Sequence, residues 1–132
     1  PAVVTVGSIQ GGTKHNIIPN EVRLQLTVRS TSDGVRDHVL KAIDRIARAA
    51  AAGARAPEPV VTVNLAEFTP TTVNDVPLTQ RVTKVLRQTL GDKNVVARPP
   101  IMGGEDFGRL GKAGVPICLY FIGTIEPERY AE

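Results

Sequence analysis

The residues best suited to chemistry near the start of this sequence are Asn16 and Arg29, which could together bind a carboxylate. An arginine fork binds a carboxylate through two parallel hydrogen bonds, and an asparagine side chain offers both a donor and an acceptor. Asn16 lies in a polar loop after two glycines, and Arg29 ends an alternating segment. Two simpler roles stay open: Asn16 could satisfy a turn, and Arg29 could lie on a solvated strand face.

A second candidate site is the sequence MGGEDF at residues 102–107. Gly103 and Gly104 would let the backbone approach a ligand closely. Acidic residues at the start of a short helix are stabilised by its dipole and can cap it. Gly103, Gly104 and Glu105 are therefore candidates for binding a ligand. The alternative is that Glu105 or Asp106 only caps a helix.

The sequence offers few ligands for a metal. It has two histidines, His15 and His38, and one cysteine, Cys118, all far apart. A catalytic zinc needs at least three protein ligands, and no metal-binding spacing is present. We expect both histidines to lie at the surface and Cys118 to be a small buried hydrophobe. The sequence therefore predicts no metal site in this chain.

Composition excludes several classes of function. The chain has 132 residues with a formal net charge of +3, and its basic residues are scattered among acids with only 4% aromatics, which disfavours nucleic-acid binding. It contains no run of about 18 apolar residues, so we expect no membrane span. A single cysteine allows no intrachain disulfide, which suits a reducing compartment such as the cytoplasm.

The first half of the chain predicts an α+β arrangement. Residues 2–9 favour a strand, and apolar and polar residues alternate strictly over 22–29, as in a half-buried strand. A helical pattern runs from the capping residues 31–33 to Gly53. A third strand is predicted at 60–68. The resulting β-β-α-β order is a ferredoxin-like β-α-β-β-α-β unit that lacks its first strand and helix.

A hinge-like Thr-Pro-Thr-Thr stretch at 69–72 predicts a boundary between two partial domains, 1–69 and 70–132. Capping residues predict that the second portion opens with a helix that ends at Gly91. A very short strand at 95–97 and a short helix ending near residue 110 follow.

The run VPICLYFI at 115–122 is nearly all apolar, which is typical of a strand covered on both faces. Nothing else in the sequence could cover both faces. We therefore expect the chain to be a piece of a larger protein or to associate.

Two motifs carry a resemblance to a known family. NIIPNEVRLQLTVR at 16–29, with the preceding VGSIQGGTKH, and MGGEDF at 102–107 resemble segments of the M20 family of metal-dependent amidohydrolases and peptidases. The branch they resemble is that of the N-acyl-amino-acid amidohydrolases, the hippurate-hydrolase type. The two motifs occur in the family's order and span most of the chain.

The resemblance implies that residues 1–69 are part of a ferredoxin-like lid or dimerisation domain. It implies that residues 70–132 are a piece of an α/β zinc-peptidase-like catalytic domain. Asn16 and Arg29 would then reach a substrate carboxylate across a homodimer. Gly103, Gly104 and Glu105 would line the cleft, without Glu105 acting as the general base.

The intact enzyme would use a divalent metal, zinc or manganese, to cleave N-acyl amino acids or small peptides. The family takes its metal ligands from segments without a counterpart in this chain, so the chain alone is expected to be inactive and metal-free. A different interpretation is a stand-alone ferredoxin-like association module without activity. Nucleic-acid binding through general basicity is a third.

Overall fold

The computed structural model describes residues 1–125 and Arg129. The chain forms two compact units, one made of Pro1–Thr71 with Pro100–Gly104, the other of Thr72–Pro99 with the residues from Glu105 onward. The first unit contains strands β1 (Ala2–Gly11) and β2 (Val22–Ser30) and helix α1 (Asp33–Gly53). The second contains helix α2 (Val76–Leu90), a 3-10 turn (Asp92–Asn94) and helix α3 (Gly108–Lys112). The boundary between lid and catalytic portions stays a prediction.

Strands β1 and β2 form an antiparallel hairpin with one β-bulge. Val6 lies opposite Leu26, but the next pair is Ser8 with Gln25, so Gly7 is an extra residue on β1. Side chains alternate between the two faces of a strand. The bulge therefore returns Ile9 to the face that Val6 occupies. The apolar face consists of Val4, Val6 and Ile9 with Val28, Leu26 and Leu24.

Helix α1 packs on this hairpin, mainly against β2. Its first turn is capped by Ser32, whose Oγ accepts a hydrogen bond from the Val35 amide over 3.4 Å. Val35, Val39 and Ile43, which recur at helical spacing, are half-buried. These half-buried side chains share one side of the helix, whereas Ile46 further along is 57% exposed.

In the second unit, the start of α2 is tied to residues 117–119. The Asn74 side chain donates to the Leu119 carbonyl over 2.8 Å and accepts from the Leu119 amide over 2.7 Å. The Asp75 amide donates to the Ile117 carbonyl over 2.8 Å. Asp75 also caps α2, since its Oδ1 accepts from the Leu78 amide over 2.8 Å. Residues 74 and 75 thus bind the 117–119 backbone through two side-chain hydrogen bonds and one backbone hydrogen bond.

A small apolar core lies next to this pairing. Ile117 is only 4% exposed. A Cβ added to Gly111 in α3 would lie 2.9 Å from Ile117 Cδ1, so the helix approaches this side chain closely because residue 111 is a glycine.

The α+β class is confirmed, and the β-β-α order of the first unit is compatible with an incomplete ferredoxin-like fold. Three predicted strands, at 60–68, 95–97 and 115–122, are not strands in the part of the chain that the structure describes. A strand requires a partner for its ladder of hydrogen bonds. β1 and β2 pair with each other, and the backbone at 117–119 bonds to Asn74 and Asp75 instead.

The apolar run at 115–122 is typical of a strand covered on both faces, but the sequence was predicted to lack the segments that would cover it. Ile117 is buried, but Phe121 and Ile122 are 59% and 75% exposed. On the first unit, Ile9 and Leu24 are 68% and 51% exposed. Both units therefore leave large apolar side chains without cover from residues 1–125.

Candidate functional site

Arg29 lies near the end of β2, where its backbone pairs with Val3. Its side chain is exposed, and Nη1 donates a hydrogen bond to the Met102 carbonyl oxygen over 2.6 Å. The sequence separation between the two residues is 73. Within residues 1–125 and Arg129, Nε and Nη2 of Arg29 make no hydrogen bond or ion pair. The guanidinium therefore has one edge held by the protein and one edge open.

Met102 belongs to the segment Pro100–Gly104, named here the glycine loop, which packs in the same unit as Arg29. A Cβ added to Gly104 would meet nothing within 4 Å, and one added to Gly103 would lie 3.4 Å from Ile101 Cδ1. Both glycines are exposed. The loop is therefore open to a ligand beside the Arg29 guanidinium.

Glu105 follows the glycine loop along the chain and belongs to the second unit. Its Oε2 accepts a hydrogen bond from the Phe107 amide over 2.6 Å. Its Oε1 is buried and has no hydrogen-bond partner among the described residues. Glu105 thus closes the turn that precedes α3, whose N-cap residue, Phe107, has no side-chain capping hydrogen bond. The prediction that it also lines a substrate cleft stays a prediction.

Asn16 lies in the exposed loop between the two strands, inside a turn that the Ile17 amide closes on the Lys14 carbonyl over 3.3 Å. This loop leaves β2 at Val22. A strand rises about 3.3 Å per residue, so Val22 lies about 23 Å from Arg29 along β2. No hydrogen bond joins Asn16 to Arg29 in the described residues. The structure places Asn16 in a turn, and its binding of a carboxylate together with Arg29 stays a prediction.

His15 and His38 are exposed. Cys118 is half-buried, and its Sγ accepts a hydrogen bond from Thr79 Oγ1 over 3.7 Å. In the ranges that the structure describes, no group of three or more His, Cys, Asp or Glu side chains could hold a metal ion. These residues therefore do not fit the catalytic metal that the resemblance implies. None of the described helices is long and apolar enough to cross a membrane.

Two features were not predicted from the sequence. One is the Met102 carbonyl, because a backbone acceptor leaves no signature in residue type. The other is an open groove of about 680 Å³ along α2. The residues that line it include Thr79, Lys84 and Arg87. The helical spacing of apolar residues in α2 predicts a polar face exposed to solvent, but it does not predict that this face is concave.

Comparison with known proteins gives the chain a family context. The sequence pattern of the peptidase family M20/M25/M40 matches residues 3–131. Thermostable carboxypeptidase 1 of Saccharolobus solfataricus is 36% identical over 126 residues, which are 94% of this chain and 30% of that protein.

Two other relatives have different names. The IAA-amino acid hydrolase ILR1-like 2 of Arabidopsis thaliana is 33% identical over 80% of this chain and 24% of its own length. The N-acetyldiaminopimelate deacetylase of Leuconostoc citreum is 34% identical over 82% of this chain and 27% of its own length. The chain thus spans less than a third of each of these relatives.

Proposed function

This chain belongs to the peptidase family M20/M25/M40, and from that premise we propose that it supplies the substrate-carboxylate site of an amidohydrolase. The intact enzyme would cleave the amide bond of N-acyl amino acids, as the hippurate-hydrolase type does, or of small peptides. The names of the relatives support this proposal, since they include a carboxypeptidase, an amino acid conjugate hydrolase and a deacetylase.

The observation that carries the proposal is the open edge of the Arg29 guanidinium beside the glycine loop. An amino acid that has lost its free amine to an acyl group still carries a carboxylate. A planar, always charged fork binds that group bidentately. Arg29 would hold the carboxylate, and Asn16, which lies beyond the opposite end of β2, would assist through its amide from the second copy of a homodimer. Gly103, Gly104 and Glu105 would line the cleft that receives the scissile amide.

By the resemblance, the intact enzyme uses a divalent metal, zinc or manganese, whose ligands come from family segments to which this chain does not correspond. What residues 1–132 contribute is binding and orientation. When the carboxylate end of the substrate is bound, the scissile amide is held in a defined position, which lowers the entropic part of the activation barrier to hydrolysis.

The test is hydrolysis of N-benzoylglycine and of its neutral analogue N-benzoylglycinamide, with zinc or manganese supplied, by the protein that carries this chain. We expect a strong preference for the carboxylate, and Arg29→Gln should remove it. Arg23→Gln is the matched control, because Arg23 lies on the same face of β2 and pairs with Glu21. An enzyme that hydrolyses neither compound, or an Arg29→Gln variant that keeps the preference, would contradict the proposal.

We also propose that residues 1–69 form a lid that joins two copies of the chain in a homodimer, and that the protein works in the cytoplasm. In the described two-stranded sheet, each strand has one unpaired edge, and unpaired edges favour association. The exposed Ile9 and Leu24 on the apolar face support the same proposal.

This apolar surface also favours the second candidate, a ferredoxin-like association module without activity. Sedimentation of the wild type, Leu24→Lys and the control Thr27→Lys on the opposite face tests the association itself. Loss of the dimer in Leu24→Lys alone is expected. A dimer that hydrolyses no N-acyl amino acid when metal is supplied would favour the module over the enzyme.

A further inference from the structure

The glycine loop holds the Arg29 guanidinium by one edge only. Nη1 donates to the Met102 carbonyl over 2.6 Å, while Nε and Nη2 have no partner in the described ranges. A guanidinium offers five donors in a rigid plane, and the Nε–Nη2 edge is one of the forks that matches a carboxylate. The structure therefore separates a bound edge from an edge that is free for a ligand.

Charge distinguishes Arg29 from its neighbour on the same strand. Arg23 and Arg29 are separated by an even number of residues, so both point from the polar face of β2. Arg23 Nη2 lies 3.2 Å from Glu21 Oε1, which compensates its charge. Arg29 bonds to a neutral carbonyl instead, and in the part of the chain described no acidic side chain pairs with it. Arg29 is thus oriented without being neutralised.

We propose that the Met102 carbonyl is a positioning group, which fixes the Arg29 guanidinium so that its Nε–Nη2 edge receives the substrate carboxylate. This inference rests on the proposed function and adds the group that orients the anchor. Fixing an arginine costs rotamer freedom. A contact that fixes it before the ligand arrives removes part of that cost from binding.

The orientation can be observed directly in the protein as it is expressed. Labelling with [1-13C]Met and [15N]Gly gives a signal from the Met102–Gly103 peptide, which is the one Met–Gly pair in the sequence. Met102→Leu removes this signal and so identifies it. We expect Arg29→Gln to shift the carbonyl resonance because the hydrogen bond is lost, and Arg23→Gln to leave it in place.

The ligand probe is N-acetylglycine, with the uncharged N-acetylglycine methylamide as its control. We expect Arg29→Gln to weaken N-acetylglycine binding about tenfold to a hundredfold, as for the loss of a charge-assisted hydrogen-bonded pair. At saturation of the wild type, the Met102 carbonyl resonance should stay at its hydrogen-bonded position while the Arg29 Nε–H signal moves.

Three results would overturn the inference. If Arg29→Gln leaves the Met102 resonance unchanged, the contact is absent, and the proposed function still stands. If N-acetylglycine moves the Met102 carbonyl resonance to the position that it has in the Arg29→Gln variant, the ligand breaks the hydrogen bond between Arg29 and the glycine loop. If N-acetylglycine binds Arg29→Gln as tightly as the wild type while the contact is visible, the proposed carboxylate role itself fails.

Discussion

Arg29 Nη1 lies 2.6 Å from the carbonyl oxygen of Met102, across a sequence separation of 73 residues. This contact joins the two motifs that carry the family resemblance, the segment that ends at Arg29 and the segment that begins at Met102. Arg29 and Met102 belong to one compact unit, whereas residues 105–107 of the second motif belong to the other. The guanidinium and the glycine loop therefore form one local structure, and a change in either should be detected at the other.

The first prediction concerns Arg29→Lys in the active enzyme. Lysine keeps the charge but presents a single ammonium instead of a planar fork. We expect KM for N-benzoylglycine to rise about tenfold or more, since a charge-assisted hydrogen bond contributes about 1.5–3 kcal/mol. The value of kcat should fall much less. Steady-state kinetics on Arg29→Lys and Arg23→Lys measure this, and an equal rise of KM in both variants would contradict it.

Much of the helical structure could be predicted because helix signals are local. Asp75 before α2 and Gly91 after it mark both ends of that helix, and Ser32 caps α1. The alternation over 22–29 identified β2 for the same reason. Strand pairing is not local, so the segments at 60–68 and 115–122 carried strand patterns without a partner to complete a ladder.

The candidate site was predictable in residue type but not in arrangement. Arg29 stands out because of its chemistry. Its partner is a backbone oxygen of Met102, and residue type says nothing about which carbonyl an arginine reaches. Asn16 and Arg29 lie only 13 positions apart in the sequence. They are not in contact, because the extended strand β2 separates them.

The second prediction is that Asn74 stabilises the second unit. Its amide makes two hydrogen bonds with the Leu119 backbone, at 2.8 and 2.7 Å, in a partly buried position. Asn74→Ala leaves the Leu119 amide and carbonyl without these partners, so we expect a loss of about 1–3 kcal/mol in the free energy of unfolding. Urea unfolding and hydrogen exchange of the Leu119 amide measure the effect.

Asn64→Ala is the control for Asn74. The Asn64 side chain also accepts a backbone hydrogen bond, from Ala66 over 3.1 Å, but at an exposed site. We expect its effect to stay within about 0.5 kcal/mol, as for most surface substitutions. Equal losses of unfolding free energy in the two variants would show that partial burial does not increase the contribution of the hydrogen bonds between Asn74 and Leu119 to stability.

The third prediction concerns the bulge at Gly7. Deletion of Gly7 would make Val6 and Ser8 consecutive opposite Leu26 and Gln25, so every side chain of β1 keeps its face. Deletion of Gln25 would instead place Leu24 next to Leu26 and move one part of β2 to the wrong face. We expect the first deletion to keep a cooperative unfolding transition and the second to lose it. Far-UV circular dichroism during urea unfolding distinguishes them, and loss of the transition in both would contradict this account of the bulge.

The fourth prediction is that Asp75 stabilises α2 as its N-cap. Its Oδ1 accepts from the Leu78 amide over 2.8 Å. Asp75→Ala should cost about 1 kcal/mol, within the usual range of about 0.5–2 kcal/mol for such a change. Asp75→Asn keeps a side-chain acceptor at the cap and should restore most of the stability. Thermal unfolding of the two variants gives the comparison, and an Asp75→Asn variant as unstable as Asp75→Ala would argue against capping.

The last prediction concerns pH and the charge cluster on α1. The hydrogen bond that Arg48 donates to Asp44, with the charge of Asp44 and additional contributions from Glu58, raises the pKa of Arg48 above its ordinary value. A basic group whose pKa is raised on folding contributes stability below its unfolded pKa and loses it only as the pH rises through the folded pKa. For an arginine both lie in strong alkali, so Arg48 should add no pH dependence between about pH 6 and 9. We therefore expect Arg48→Gln to shift the free energy of unfolding by the same amount at every pH in this window. Urea titrations at several pH values measure it, and a shift that varies across the window would mean that a group which titrates there is coupled to Arg48.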